Sequence, residues 1–164
     1  MTQKYKGLLF DLDGVLVDTA KYHFLAWKQL AEELDIPFTK EDNERLKGVS
    51  RMASFEIILQ LGNRTLTQAE KDSCCTKKND LYVQYINELT QEDILPGVQA
   101  FLTDAREKGY KIGLGSASKN SALILNRLKI TDFFDAVIDG TKVSQAKPNP
   151  EVFLQGAKEL NLPP

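Results

Sequence analysis

Gly7-Leu8-Leu9-Phe10-Asp11-Leu12-Asp13-Gly14-Val15-Leu16-Val17 is the stretch that decides the fold. A continuous apolar run ahead of a glycine predicts a strand buried on both faces, as strands of parallel sheets are. Asp11 and Asp13 stand at its C-terminal end, where paired carboxylates are costly unless the protein uses them. Downstream, Ala20, Phe24, Trp27, Ala31 and Leu34 recur at helical spacing. Thr39 with Asp42 predicts a capped short helix ending near Gly48, and Ser50 to Leu61 reads as another. Thr67 with Glu70 is a full capping box that leads a long helix to about Leu89. Residues 19 to 90 therefore read as helical, with no strand pattern.

The pattern changes at Gln91. Pro96-Gly97 precedes a helix through Val98, Phe101, Leu102 and Ala105 that Gly109 stops. Lys111 to Gly115 is a short strand, a helix follows through Leu123, Ile124 and Leu128, and Ala136 to Asp139 is a third strand. Asn149 before Pro150 opens a last helix to Leu160. Strands alternating with helices predict an α/β core with a parallel sheet. The helical block after the first strand reads as an inserted cap. The boundaries expected are 1–17 with 92–164 for the discontinuous core and 18–91 for the cap.

The chain has 164 residues, 42% of them hydrophobic, and a formal net charge of -2. That balance lacks the basic footprint of a nucleic-acid binder. No apolar stretch approaches the roughly 20 residues that span a bilayer, and Met1 to Phe10 has no apolar signal core. Cys74 and Cys75 are the only cysteines, adjacent and in a polar helical stretch, so neither a disulfide framework nor a zinc site is expected. The reduced cytoplasm is the simplest compartment.

Ligands of open parallel sheets lie beyond the carboxyl ends of the strands. Those ends carry Asp11 and Asp13, then Ser116 with Ser118, Lys119 and Asn120, then a loop that ends in Lys147-Pro148. Such a set suits phosphoryl transfer. An Asp carboxylate can be the covalent nucleophile, and Ser116 with backbone N–H groups can hold phosphate oxygens. Lys147 offsets charge, Asp13 shuttles a proton, and Mg2+ suits the anionic cluster. Competing motifs fail on spacing. A calcium loop needs Gly at its sixth position and Glu at its twelfth, where this chain has Leu16 and Tyr22. Gly113-Leu-Gly115-Ser-Ala-Ser118 lacks the third glycine of a dinucleotide fingerprint, and no glycine at 118 makes Ser116 a nucleophile elbow. Taken alone, His23 is a packed or surface histidine and Trp27 a core residue.

Together these residues resemble the haloacid-dehalogenase superfamily of aspartyl-phosphate enzymes. The motifs that carry the resemblance are Asp11-Leu-Asp13-Gly-Val-Leu-Val-Asp-Thr19, Ser116, and Lys147-Pro148-Asn149-Pro150. His23 to Lys28, Lys47-Gly-Val-Ser-Arg51 and Lys78-Asn79-Asp80 are similar to its sugar-phosphate mutases. The resemblance implies a Rossmann-like parallel sheet, incomplete here, with a helical cap. Asp11 would be the nucleophile and Asp13 the general acid/base. The Asp11 carboxylate and the Asp13 main-chain carbonyl would be magnesium ligands. Ser116 and Lys147 would bind the transferring phosphoryl group, lined by Ala117, Ser118, Lys119 and Asn120. Trp27, Gly48, Val49, Ser50, Arg51 and Lys78 would hold the sugar and its second phosphate, with Arg51 as the distal clamp. His23 would couple cap closure to proton transfer by Asp13.

The implied reaction interconverts β-D-glucose 1-phosphate and glucose 6-phosphate. A small sugar-phosphate phosphatase and a non-catalytic phosphosugar-binding remnant are the alternatives. The partner expected is a small phosphosugar, with neither nucleic acid nor membrane, and the complete protein is expected to be a monomer. The superfamily's fourth motif, an acidic pair on a further strand, is missing from the sequence. The chain therefore reads as a fragment with its first strand at an open sheet edge and with impaired activity.

Overall fold

The computed structural model describes residues 4–164. Its elements run β1 (Gly7–Phe10), α1 (Ala20–Glu33), α2 (Lys40–Glu44), α3 (Arg51–Leu61), α4 (Gln68–Asn87), α5 (Val98–Glu107), β2 (Lys111–Gly115), α6 (Ser121–Arg127), β3 (Ala136–Ile138) and α7 (Glu151–Glu159). Contacts divide the chain into two units, Met1–Thr19 with Asn87–Pro164, and Ala20–Ile86.

The first unit is α/β. Its sheet has the order β1-β2-β3, with Leu9 opposite Gly113 and Gly113 opposite Ala136 in parallel register. Parallel strands bring all their carboxyl ends to one side, so Asp11, Ser116 and Asp139 each follow directly on a strand end. Leu102, Ala105 and Ile112 form a buried cluster, against which Leu8, Phe10, Val98, Tyr110, Phe133 and Phe134 pack. Asp135 fixes the start of β3, since its carboxylate accepts from Arg106 Nη1 at 2.7 Å and from the Ile112 N–H at 2.8 Å.

β1 is half-buried along its length rather than buried on both faces. Among the described residues it pairs only with β2, so the apolar run Gly7 to Phe10 forms the sheet edge. The strand also ends at Phe10, before the two carboxylates, which belong to the turn beyond it.

The second unit is wholly helical. Trp27, Leu30, Ala31, Ile36, Phe38, Leu46, Phe55, Ile58, Leu59 and Cys75 make its core. Both capping boxes form. Thr39 Oγ1 accepts from the Asp42 N–H while Asp42 accepts from the Thr39 N–H at 2.9 Å. Thr67 and Glu70 repeat the exchange at the entry to α4, with 2.7 Å from the Thr67 N–H to the carboxylate. Ion pairs link Lys71 to Glu56 at 2.6 Å and Lys77 to Glu33 at 2.5 Å, which ties α4 to α3 and α1. Cys74 and Cys75 are free thiols, and burial pushes both up from the ordinary thiol range.

Candidate active site

The chain leaves β1 into a tight turn that wraps the Leu12 carbonyl, which accepts from the Val15, Leu16 and Val17 N–H groups. The turn closes with the Gly14 N–H bonded to the Val17 carbonyl at 2.8 Å, and it requires φ +76° at Gly14. Glycine adopts that conformation without the penalty a Cβ would bring. The turn holds Asp11 and Asp13 at the sheet end in fixed orientation. Asp11 Oδ1 accepts from the Leu12 N–H at 2.8 Å and lies 3.0 Å from Lys147 Nζ. The same ammonium donates to the Gly115 carbonyl at 3.0 Å, so it joins the ends of β1 and β2.

Asp13 has a different environment. Burial pushes its carboxyl up from the ordinary range, and the charges of Asp11 and Asp18 add to that. A hydrogen bond from the Thr19 hydroxyl and the Lys147 charge oppose the shift. The two carboxylates thus differ, one paired with a lysine and one whose carboxyl burial pushes up. Environments that separate two acids in this way mark acid–base sites. Thr19 is fully buried and is a site residue to which sequence reasoning gave no role. Its only signal was its place at the end of the first motif.

At the end of β2, Ser116 is buried, and its N–H continues the ladder to the Ile138 carbonyl at 2.9 Å. Its Oγ accepts from the Ser118 N–H, and Ser118 Oγ accepts from the Asn120 N–H, both at 3.1 Å. Ser121, also buried, donates its hydroxyl to the Ser118 carbonyl at 2.8 Å. Ala117 and Lys119 are exposed beside them. Gly140, beyond β3, donates to the Ser118 carbonyl, and a Cβ on it would collide with the Ala117 carbonyl oxygen. Glycine lets the β3 end close on this loop. Asp11, Asp13, Ser116 and Lys147 therefore come from separate segments to neighbouring strand ends.

The helical unit holds a second group. Lys78 is buried, with Nζ 2.8 Å from His23 Nδ1, 4.7 Å from the Trp27 ring centroid and 4.9 Å from that of Tyr82. An ammonium can only donate, so Nδ1 accepts and the imidazole is neutral. Burial first, then the Lys78 and Arg51 charges, push His23 down to about 3. Its ring stacks on Tyr82 at 4.0 Å, and Trp27 stacks on Phe55 at 6.0 Å. Trp27 is 3% exposed and belongs to the core of this unit. Arg51 is exposed and donates from Nη2 to Asn79 Oδ1 at 2.7 Å. Gly48 has φ +74°, Val49 is exposed, and Ser50 caps α3 by accepting from the Ala53 N–H at 3.3 Å.

A family model described as haloacid dehalogenase-like hydrolase matches residues 5–164. The chain belongs to that family. It is 48% identical to the β-phosphoglucomutase of Bacillus subtilis, over 97% of this chain and 71% of the relative. A phosphorylated-carbohydrates phosphatase of Thermotoga maritima is 29% identical over 97% of this chain and 72% of its own length. Among solved structures, the β-phosphoglucomutase of Clostridium difficile superposes with a TM-score of 0.88 at 46% identity, over 96% of this chain and 72% of that one. This is an enzyme fold similar to that of β-phosphoglucomutases.

Membership in the family implies a divalent metal. The donors at the site are hard oxygens from Asp11 and Asp13, and among the described residues no cluster of three or more His, Cys, Asp or Glu side chains could hold a metal. One or two carboxylates completed by phosphate and water is a donor set that fits a small hard cation. No helix among the described residues is long and apolar enough to cross a membrane.

Proposed function

We propose that this chain moves a phosphoryl group through Asp11 and so interconverts β-D-glucose 1-phosphate and glucose 6-phosphate. The observation that carries the reading is the Asp11–Lys147 pair at 3.0 Å beside a half-buried Asp13 whose carboxyl burial pushes up. The 48% identity to a β-phosphoglucomutase supports the substrate.

The contacts of Asp11 with Leu12 and Lys147 both fall on Oδ1, which leaves Oδ2 to carry the phosphoryl group. Phosphorylated Asp11 gives that group to a sugar hydroxyl, whose proton passes to the Asp13 carboxylate. The bisphosphate, turned round, returns its other phosphoryl group to Asp11, and Asp13 gives the proton back to the departing sugar oxygen. Lys147 and the Ser116 hydroxyl bind the phosphoryl oxygens in flight, with residues 117–120 as the wall of the site. Thr19 orients Asp13. The cation assigned here is Mg2+, held by the Asp11 carboxylate and the Asp13 main-chain carbonyl, and it supplies charge neutralisation at the phosphoryl oxygens.

A mutase also has to hold a second phosphate and keep water from the aspartyl phosphate. The helical unit, Ala20–Ile86, serves as the cap, and Arg51 clamps the distal phosphate with a guanidinium fork suited to it. The turn Gly48-Val49-Ser50 completes the sugar subsite, with the buried Lys78 and Trp27, and His23 beside them, supporting it from the core of the unit. The free thiols suit a reducing cytoplasm, where the protein acts as a monomer.

Arg51→Ala tests the reading. It removes charge-assisted hydrogen bonds to the distal phosphate, so mutase turnover should fall on the order of 10- to 100-fold. Hydrolysis of a simple aryl phosphate should barely change, since that substrate has no second phosphate. Equal loss in both assays would favour a phosphatase. Asp11→Asn should abolish both activities, and phosphosugar binding without turnover in the parent chain would point instead to a binding protein.

A further inference from the structure

Residues 139–150 connect β3 to α7 and carry Lys147. Ser144, Gln145, Ala146, Pro148, Asn149 and Pro150 are all exposed, so apolar burial does not set the shape of this loop. Polar bonds have to do it. Asp139 and Lys142 anchor the first part of the loop, and Glu151, in the first turn of α7, holds the part around Ser144 and Gln145. Its Oε1 accepts from the Ser144 N–H at 2.9 Å and its Oε2 from the Gln145 N–H at 2.6 Å. The Ser144 hydroxyl lies 3.3 Å from Oε1 and 3.1 Å from Oε2. Inside the loop the Asn149 N–H donates to the Ala146 carbonyl, and Asn149 Oδ1 accepts from the Glu151 N–H, both at 3.0 Å.

An acid in the first turn of a helix ordinarily has a favourable interaction with the helix dipole. Glu151 differs in that both oxygens are bonded to the preceding loop. The Ser144 N–H first, against burial, and then the Gln145 N–H and the Ser144 hydroxyl hold its carboxyl below the usual range. We propose that Glu151 is a positioning residue for Lys147: its carboxylate clamps the loop at Ser144 and Gln145, which fixes residues 146–150 in the shape that delivers the Lys147 ammonium to Asp11. The Gly115 carbonyl and the Phe153 ring also receive the ammonium, but without the clamp the loop backbone that brings Lys147 to them and to Asp11 Oδ1 gains freedom. The inference rests on the phosphoryl-transfer reading of Asp11 and Lys147.

The test is a double-mutant cycle of Glu151→Ala and Lys147→Ala, read as aryl-phosphate hydrolysis and as affinity for inorganic phosphate. Glu151→Ala alone should lower both on the order of 10-fold, as expected for a misplaced catalytic group. In the Lys147→Ala background it should change them by less than about twofold, because a residue that acts through Lys147 has nothing left to act on. Losses that multiply would overturn the inference and return Glu151 to a purely structural role. No loss from Lys147→Ala itself would instead reject the reading of the site. Thermal melts establish that each variant is folded, and Glu151→Gln replaces the alanine if it is not. That variant keeps an acceptor for one loop N–H and should fall between parent and alanine.

Discussion

At the scale of single residues, the chain sets its acids and bases by what surrounds them. Asp11 and Asp13 are two positions apart, yet one meets a lysine and the other meets burial. His23 shows the same control in the helical unit. Its Nδ1 accepts from a buried ammonium, so protonation would place two cations 2.8 Å apart. The unfolded histidine takes a proton near 6.5 and the folded one only near 3. Between those values the unfolded state binds more protons, so stability falls as pH falls through that window. His23→Gln keeps an acceptor for Lys78 and does not titrate. The parent should therefore lose more of its urea midpoint than His23→Gln between about pH 6.5 and pH 5. Parallel curves for the two proteins would show that His23 takes up its proton alike in the folded and unfolded chain. Residue types and spacing made Asp11, Asp13, Ser116 and Lys147 legible in advance. Thr19 and Glu151 were not, because a threonine and a helix-entry glutamate are ordinary surface residues until their partners are seen.

At the scale of elements, local signals read well. Thr39 with Asp42 has an aspartate where a capping box usually has glutamate or glutamine, and both halves of the box form. Thr39→Ala removes the acceptor for the Asp42 N–H and should lower stability by about 1 kcal/mol, measured by urea unfolding. A change under a few tenths would mean that tertiary packing alone fixes α2. The exposure of β1 was harder to read. Its apolar run looks alike in a central strand and at an edge, since hydrophobicity reports what a strand prefers to contact and not how many neighbours it has. The Glu151 clamp escaped notice for a related reason. Two of its partners are the main-chain N–H groups of Ser144 and Gln145, which any side chains would have supplied.

At the scale of the whole chain, the sheet presents β1 as an edge among the described residues, with Phe10 packed edge-on against Phe101 at 5.9 Å. Phe101 is 52% and Val15 43% exposed, and with Leu16, Pro96 and Val98 they line an apolar groove of about 320 Å³. Unpaired apolar edges invite association. Phe101→Lys should reduce concentration-dependent light scattering at the expense of about 1 kcal/mol of stability from the lost aromatic contact. Unchanged scattering, or none in the parent, would show that this groove does not drive association. The sequence by itself determined the order of strands and helices, the division into an α/β part and a helical part, and the acids, serine and lysine that belong to the chemistry. Those follow from periodicity, caps and side-chain type, which are local. Only the tertiary structure decided that β1 is half-buried, that burial pushes the Asp13 carboxyl up, that His23 is neutral against Lys78, and that Glu151 holds the Lys147 loop. Each of these depends on burial and on partners distant in sequence, or on main-chain groups whose direction exists only once the chain has folded.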